Sequence, residues 1–444
     1  MSRIEEKITG SGQSLYARAR RLIPGGTQLL SKRPEMFLPE QWPAYYAKAS
    51  GDEIWDLDGK RYVDMSYSGI GACVLGYADP DVDRAVLSAV AAGTMSTLNC
   101  PEEVELAELL LELNPWAQRV RYARSGGEAM AMAVRIARAA TGRDALAFCG
   151  YHGWHDWYLA ANLGSESSLD GHLLPGLDPA GVPRGLAGTM LPFRYNRIEE
   201  LEAAASARGS EIAAIVMEPI RGQAPRDGFL ERVAEIARRL GAVLLFDEIT
   251  SGFRLNTGGA HRLLGVDPDI AVYAKGMSNG YPMAAVVGRD SVMEAAQSSF
   301  ISSTYWTERI GPVAALATIR KHRAEGVPAR LQDLGRRVQE SWEAAARDAK
   351  IEIEVGGIAP LSHFSFPGEL AQATKTLFVQ EMLERGFLAS TAFYAMWAHT
   401  DAHVEAYGRA VAEVFGRLGR AIHEGSVEER LRGPVAHTGF RRLT

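Results

Sequence analysis

Two apolar runs without a helical period stand in the middle of the chain. Ala242 to Phe246 stops abruptly at Asp247 and Glu248, and Asp269 to Ala274 stops at Lys275 and a glycine-punctuated turn through Gly276 and Gly280. A short run that is apolar at every position and then cut off by charge reads as a parallel strand buried on both faces, polar at its carboxyl end. Similar runs at Val120 to Ala123, Ala145 to Phe148 and Glu211 to Met217 alternate with helical patterns at Ala129 to Ala140 and Phe229 to Leu240. This alternation from about Val120 to Val287 predicts an α/β fold, a doubly wound, mostly parallel sheet flanked by helices. Ligands in such sheets bind beyond the carboxyl ends of the strands, so Asp247 and Lys275 are expected to face one crevice.

The flanking pattern differs. Ser14 to Ile23 reads as a basic helix stopped by Pro24-Gly25-Gly26, and Ala44 to Ala47, Glu53 to Leu57 and Arg61 to Asp64 read as short strands, the last two joined by a hairpin at Asp58-Gly59. Pro80 to Ala92 and Pro101 to Leu113 are helical, and Gly164 to Leu191 has the Gly and Pro content of a long loop. Beyond helices at Pro312 to His322 and Pro328 to Lys350 come strands at Ile351 to Val355 and Leu361 to Phe366, and a helix at Ala371 to Glu384. A short strand around Phe387, a helix from Asp401 to Arg420 and a polar tail after Glu424 complete the chain. The expected organisation is an N-terminal segment, residues 1–75, joining a smaller α+β domain; a large domain, 76–311; and a linking helix with the C-terminal part of the small domain, 312–444.

At 444 residues the chain has material for two or three domains, and its 47% hydrophobic and 23% charged shares are those of a globular protein. The formal net charge of -6 provides no basic patch, which argues against nucleic acid as a partner. Cys73, Cys100 and Cys149 have no CxxC spacing and suit a reducing compartment. The charged N-terminus lacks a signal-peptide core, and no window approaches the roughly 18 apolar residues of a membrane span. A cytoplasmic enzyme is the expectation.

An acid and a lysine at neighbouring strand ends have a specific use. A lysine that loses its proton forms a Schiff base with an aldehyde, and a carboxylate against a pyridine nitrogen keeps that nitrogen protonated. Those are the protein groups that pyridoxal 5'-phosphate chemistry requires; a solvated lysine and a helix-capping aspartate are the plainer alternative. Arg124-Ser125-Gly126-Gly127-Glu128, between a strand and a helix, can bind an anion through backbone amides, or be an ordinary turn. The rings of Tyr151, Trp154 and Trp157 suit stacking on a flat cofactor and suit a core cluster equally well. His152 with His155, and His399 with His403, have metal-ligand spacings, but no HExxH or acidic cluster accompanies them, so no metal is expected. Gly69-Ile70-Gly71 lacks the third glycine of a dinucleotide motif.

Together these residues resemble the class III pyridoxal-phosphate aminotransferases, in the branch that includes glutamate-1-semialdehyde aminomutase. The resemblance runs through LIPGG from Leu22, GDEIWDLDGKRYVD, VLGYADP, ARSGGEAMAMAVRIARAATGR, YHGWHD, MEPI, LLFDEITSGFR, PDIAVYAKG and SSTYW, in the family's order. It implies a fold type I enzyme in which Lys275 carries the cofactor and shuttles the proton. Asp247 pairs with the pyridine nitrogen, Tyr151 stacks on one ring face and Ile249 presses on the other. Ser125, Gly126 and Gly127 fall at the family's phosphate loop, where Ser-Gly-Thr is usual. Thr304 matches the threonine that reaches the phosphate of a neighbouring subunit, which implies a homodimer with shared sites.

Departures from the family pattern bear on substrate. Lys32 or Arg33, in a shifted register, stands for the aminomutase's carboxylate-binding arginine; Tyr394 replaces an acidic residue; and Trp306-Thr307-Glu308-Arg309 replaces Ser-Gly-Asn-Pro. Tyr67, Trp154, Tyr305, Trp306, Glu308 and Tyr394 imply an aromatic, hydroxyl-rich pocket suited to an oxidised sugar or aminocyclitol-type acceptor. The expected reaction moves an amino group from an amino acid donor to an aldehyde or ketone. The alternatives are a 2,1-aminomutase or amino acid racemase on the same fold, and, from another class, a metal-dependent enzyme.

Overall fold

The computed structural model describes residues 10–165, 167–170, 172, 176–220 and 222–439. The chain divides into two compact units, one made of Ala72–Val74 and Pro80–Ala329, the other of Leu75–Asp79 with the N-terminal and C-terminal parts of the chain.

The first unit is built on a seven-stranded sheet. Across it the strands run Arg119–Ala123, Ala284–Gly288, Ile270–Tyr273, Val243–Asp247, Ile212–Met217, Ala145–Cys149 and Met190–Pro192. The last five pair parallel, while Ala284–Gly288 runs antiparallel to both of its neighbours, so the sheet is mostly parallel. The continuous apolar runs are explained by burial on both faces: Leu146, Phe148, Val216 and Leu245 pack with Met130, Ala133, Val134 and Ala137 of the helix Gly126–Thr141. Their neighbours in sequence, Ala147, Cys149, Met217, Leu244 and Phe246, pack with Phe229, Val233 and Ile236 of the helix Phe229–Leu240. Successive strand residues point to opposite faces, and each face has its own helices. Fully burying one such Leu or Phe contributes about 2 kcal/mol.

Two expectations change in this unit. The helix Ile310–Ala324 belongs with the sheet unit and not, as expected for everything from residue 312, with the smaller domain. Its Ala315, Leu316 and Ile319 bury against Ala271, Tyr273, Ala285 and Val287 of the sheet. The strand Met190–Pro192 lies at the end of the expected loop Gly164–Leu191; three residues ending in proline show no period, and an edge is where a strand tolerates proline. The loop also holds the short helix end Ala161–Gly164 and a 3-10 turn at Arg184–Leu186, and residues 166, 171 and 173–175 lie outside the described residues.

The other unit has two small sheets. Tyr46–Ser50, Glu53–Asp56 and Arg61–Met65 form an antiparallel meander, joined by Phe387–Ala389 parallel to Arg61–Met65. The first strand lies later than the expected Ala44 to Ala47, because a tight turn at Gly51 (φ 63°) sets its register against Glu53–Asp56. Glu354–Gly356, Leu361–Ser365 and Ala392–Tyr394 form the second sheet, with Trp342, Phe364, Phe378 and Phe415 packed in an aromatic cluster. Among the described residues no helix is long and apolar enough to cross a membrane.

Candidate active site

The carboxyl ends of Val243–Asp247 and Ile270–Tyr273 open on a cavity of about 310 Å³, within the size range of small-ligand sites. Asp247, Lys275, Gly126, Gly127, Tyr151 and Ile249 all line it, as do Ser125 and Trp154. Asp247 is 3% exposed. Its Oδ1 accepts the Ile249 N–H at 3.0 Å, and its Oδ2 lies 2.9 Å from His152 Nδ1. His152 Nε2 lies 3.0 Å from the Cys149 carbonyl, so both ring nitrogens face oxygen acceptors. His152 is thus the group behind the aspartate. Its spacing from His155 suggests only a metal pair; the sequence cue to this role is its place one residue past Tyr151.

Lys275 follows the neighbouring strand through Ala274 and has a left-handed backbone, φ 46°. For a long L side chain that costs about 1–3 kcal/mol and persists only where the surroundings enforce it, a frequent feature of functional positions. Its Nζ donates to Thr250 Oγ1 at 2.8 Å.

Ser125 is the N-cap of the 16-residue helix Gly126–Thr141, in a capping box with Glu128. Glu128 Oε2 takes the Ser125 amide at 2.9 Å and Ser125 Oγ takes the Glu128 amide at 3.4 Å. The amides of Gly126 and Gly127, the first two helix residues, have no carbonyl one turn back within the helix and stand at the positive end of its dipole. Side chains crowd both glycines. A Cβ on Gly126 would lie 2.8 Å from Ile249 Cδ1, and one on Gly127 would lie 3.0 Å from His155 Cε1. The ring of His155, stacked on Trp154 at 4.4 Å, therefore takes up space that a threonine side chain would need at position 127. Burial lowers the His155 pKa below the usual imidazole value.

Glu308, expected in the substrate pocket, is committed elsewhere. Its carboxylate caps the helix Ile310–Ala324 through the amides of Ile310 and Gly311, each at 2.8 Å, and pairs with Arg124 Nε at 3.1 Å. Arg124, the first residue of the expected anion-binding turn, lines the cavity; burial lowers its pKa while Glu308 opposes the shift. Trp306 packs against the core cluster that covers one face of the sheet and does not line the cavity. Thr304 begins an exposed 3-10 turn, Thr304–Thr307, and does not line this cavity.

Lys32, Arg33, Tyr67 and Tyr394 belong to the other unit. There Tyr67 and Tyr394 meet edge to face at 5.3 Å, Lys32 is exposed, and the Arg33 guanidinium lies over Gly25. His399 and His403 are not arranged as metal ligands: His399 bonds the Asp64 carbonyl and the Met396 amide, and His403 Nδ1 lies 2.7 Å from Asp52. Among the described residues no group of three or more His, Cys, Asp or Glu could hold a metal ion.

The aminotransferase class-III family model matches residues 39–405. The chain is 34% identical to a glutamate-1-semialdehyde 2,1-aminomutase of Roseiflexus castenholzii, over 94% of this chain and 100% of that protein. It is 30% identical to a 3-aminobutyryl-CoA aminotransferase of Cloacimonas acidaminovorans, over 90% of this chain and 96% of the relative. An omega-transaminase from Sphaerobacter thermophilus superimposes with a TM-score of 0.81 at 29% identity, covering 93% of this chain and 98% of that one.

Proposed function

This chain belongs to the class III aminotransferases, fold type I enzymes that use pyridoxal 5'-phosphate, and we propose that it moves an amino group from an amino acid donor to an oxidised sugar or aminocyclitol-type carbonyl. The observation that carries the reading is the convergence of Asp247, Lys275 and the paired glycine amides on one cavity. The lining fits the cofactor: a buried carboxylate for a ring nitrogen, an amine for an aldehyde, and amide donors at a helix N-terminus for a phosphate. When bound, pyridoxal phosphate supplies an aldehyde for the amino group and a ring that takes up the electron pair of a broken Cα–H bond.

The residues divide the rest of the work. Asp247, held by His152 and the Ile249 amide, keeps a proton on the group opposite it. Lys275 would hold the cofactor's carbonyl carbon through Nζ, and its free amine would move the Cα proton. Gly126 and Gly127 hold the anionic end, and Tyr151 and Ile249 bound the flat space between. Aromatic and hydroxyl side chains at the cavity, Trp154, Tyr281 and Ser125, suit an acceptor that presents hydroxyl groups.

Two copies share their sites in this reading, with Thr304 of each reaching the glycine loop of the other. The exposure of Thr304 outside its own cavity, between Phe300 (90% exposed) and Tyr305 (70%), supports that arrangement. Three free cysteines suit a cytoplasmic setting. The second reading, a 2,1-aminomutase, is favoured by the 34% identity to a protein of that name.

A donor and acceptor screen separates the two. A transaminase releases a 2-oxo acid from the donor in step with amination of the acceptor, and Lys275→Ala abolishes that release while the protein still takes up cofactor. An aminomutase isomerises its substrate with essentially no 2-oxo acid.

A further inference from the structure

The loop after the strand Val243–Asp247 carries a hydroxyl that none of these roles uses. Thr250 is 5% exposed, lines the cavity, and its Oγ1 accepts from Lys275 Nζ at 2.8 Å. The loop is held at three of its amides. The Ile249 amide closes on Asp247 Oδ1 at 3.0 Å, the Glu248 amide bonds the Val272 carbonyl at 2.9 Å, and the Gly252 amide returns to the Glu248 carbonyl at 2.8 Å. Beneath it the Glu248 carboxylate, wholly buried, accepts from Ser251 Oγ at 2.6 Å and from the amide and Nδ1 of His261 at 2.8 and 2.9 Å. His261 Nε2 accepts in turn from Trp116 Nε1 at 3.0 Å. The spacing between Asp247 and Thr250 is therefore set by backbone bonds and a buried carboxylate. It does not depend on exposed rotamers.

We propose that Thr250 is a positioning residue for Lys275, its hydroxyl holding the amine at the cavity wall and serving as an uncharged acceptor through each change of its proton count. The proposal rests on the transaminase reading and extends it to a residue outside the cofactor contacts named so far. A carboxylate at this distance would favour the ammonium form and oppose loss of the proton. A hydroxyl carries no charge, accepts from either form of the amine, and can also donate to an oxygen entering the site. Threonine suits the position better than serine, because branching at Cβ restricts χ1 and so fixes the direction of the hydroxyl.

The test compares Thr250→Val, which keeps the shape and removes the hydroxyl, with Thr250→Ser, which keeps the hydroxyl. Thr250→Ala provides a second hydroxyl deletion should the valine variant fold poorly. Each is prepared with pyridoxal phosphate, and two quantities are read: the pH midpoint of the visible absorption of the bound cofactor, and the single-turnover rate with a saturating amino donor. Without the hydroxyl the protonated nitrogen loses an acceptor, so the midpoint is expected to fall by about one pH unit and the rate by about tenfold, the scale of one hydrogen bond to a charged group. Serine is expected to restore most of both. A deletion variant within twofold of wild type in rate and with an unmoved midpoint overturns the proposal while leaving the transaminase reading intact. Equal loss in the serine and valine variants also overturns it, by assigning the effect to packing. A wild-type protein with no cofactor absorption sinks the transaminase reading, and this proposal with it.

Discussion

Asp247→Asn isolates charge from shape at the centre of the site. The carboxylate accepts from the Ile249 amide at 3.0 Å and from His152 Nδ1 at 2.9 Å, and an asparagine can occupy the same space. Its Oδ1 keeps the Ile249 bond. Its Nδ2 can donate to His152 Nδ1, provided that His152 keeps a single hydrogen on Nε2 for the Cys149 carbonyl, 3.0 Å away. No donor is left facing a donor, so the cost to the fold is the difference between a charge-assisted bond and a neutral one, about 1 kcal/mol. In the transaminase reading the cost to the reaction is much larger, because the variant removes the buried negative charge that would face the cationic cofactor ring. Loss of one such preorganised stabiliser is worth about 3–4 kcal/mol, or roughly 10²- to 10³-fold in rate. The assay pairs urea unfolding of the cofactor-free protein with stopped-flow spectra of a single turnover at saturating amino donor. The expectation is a nearly unchanged unfolding midpoint beside a rate lower by at least 10²-fold. A fully loaded variant reacting within about threefold of wild type would falsify the role of the carboxylate.

Other outcomes follow from the same geometry. Gly126→Ala places a methyl 2.8 Å from Ile249 Cδ1, the end of a half-buried side chain that can rotate toward the cavity. Cofactor affinity by equilibrium titration is expected to fall about tenfold, with a stability loss of about 1 kcal/mol; unchanged affinity would show that Ile249 does not bound the ring space. His322 is fully buried, with Nδ1 2.8 Å from Thr257 Oγ1 and Nε2 3.0 Å from the Phe253 carbonyl, and burial pushes its pKa down to about 4. The unfolded chain, titrating near 6.5, binds the extra proton first. The contribution is thus fully present above about pH 6.5 and is lost as the pH falls toward 4, up to about 3 kcal/mol. Urea midpoints measured across that window should decline with falling pH, and His322→Gln should flatten the decline. A slope the same in both proteins would assign it to other groups.

Much of this was legible along the chain. Runs such as Val243–Asp247 and Ile270–Tyr273, apolar at every position and ended by charge, announce strands buried on both faces, because no other short element hides consecutive side chains in opposite directions. The acid and the lysine at their ends, and the glycines before a helix, were readable for the same reason: local chemistry stands at strand termini and helix caps. Less legible were elements whose identity lies in their partners. Met190–Pro192 is a strand only because Leu146–Phe148 offers it a ladder, and Ala392–Tyr394 only because Leu361–His363 does.

Periodicity and motif order along the chain thus determined the fold class, the family and the residues at the strand ends. Tertiary structure alone decided which polar groups are free to act. It spent Glu308 on a helix cap and Arg124, put His152 behind Asp247, filled the space beside Gly127 with His155, and brought Thr250 to Lys275. The reason is one of range. Apolar periodicity reflects the burial of each residue and is written locally, whereas a hydrogen bond is decided by a few tenths of an ångström between groups far apart in the chain, such as the 2.9 Å between residues 152 and 247.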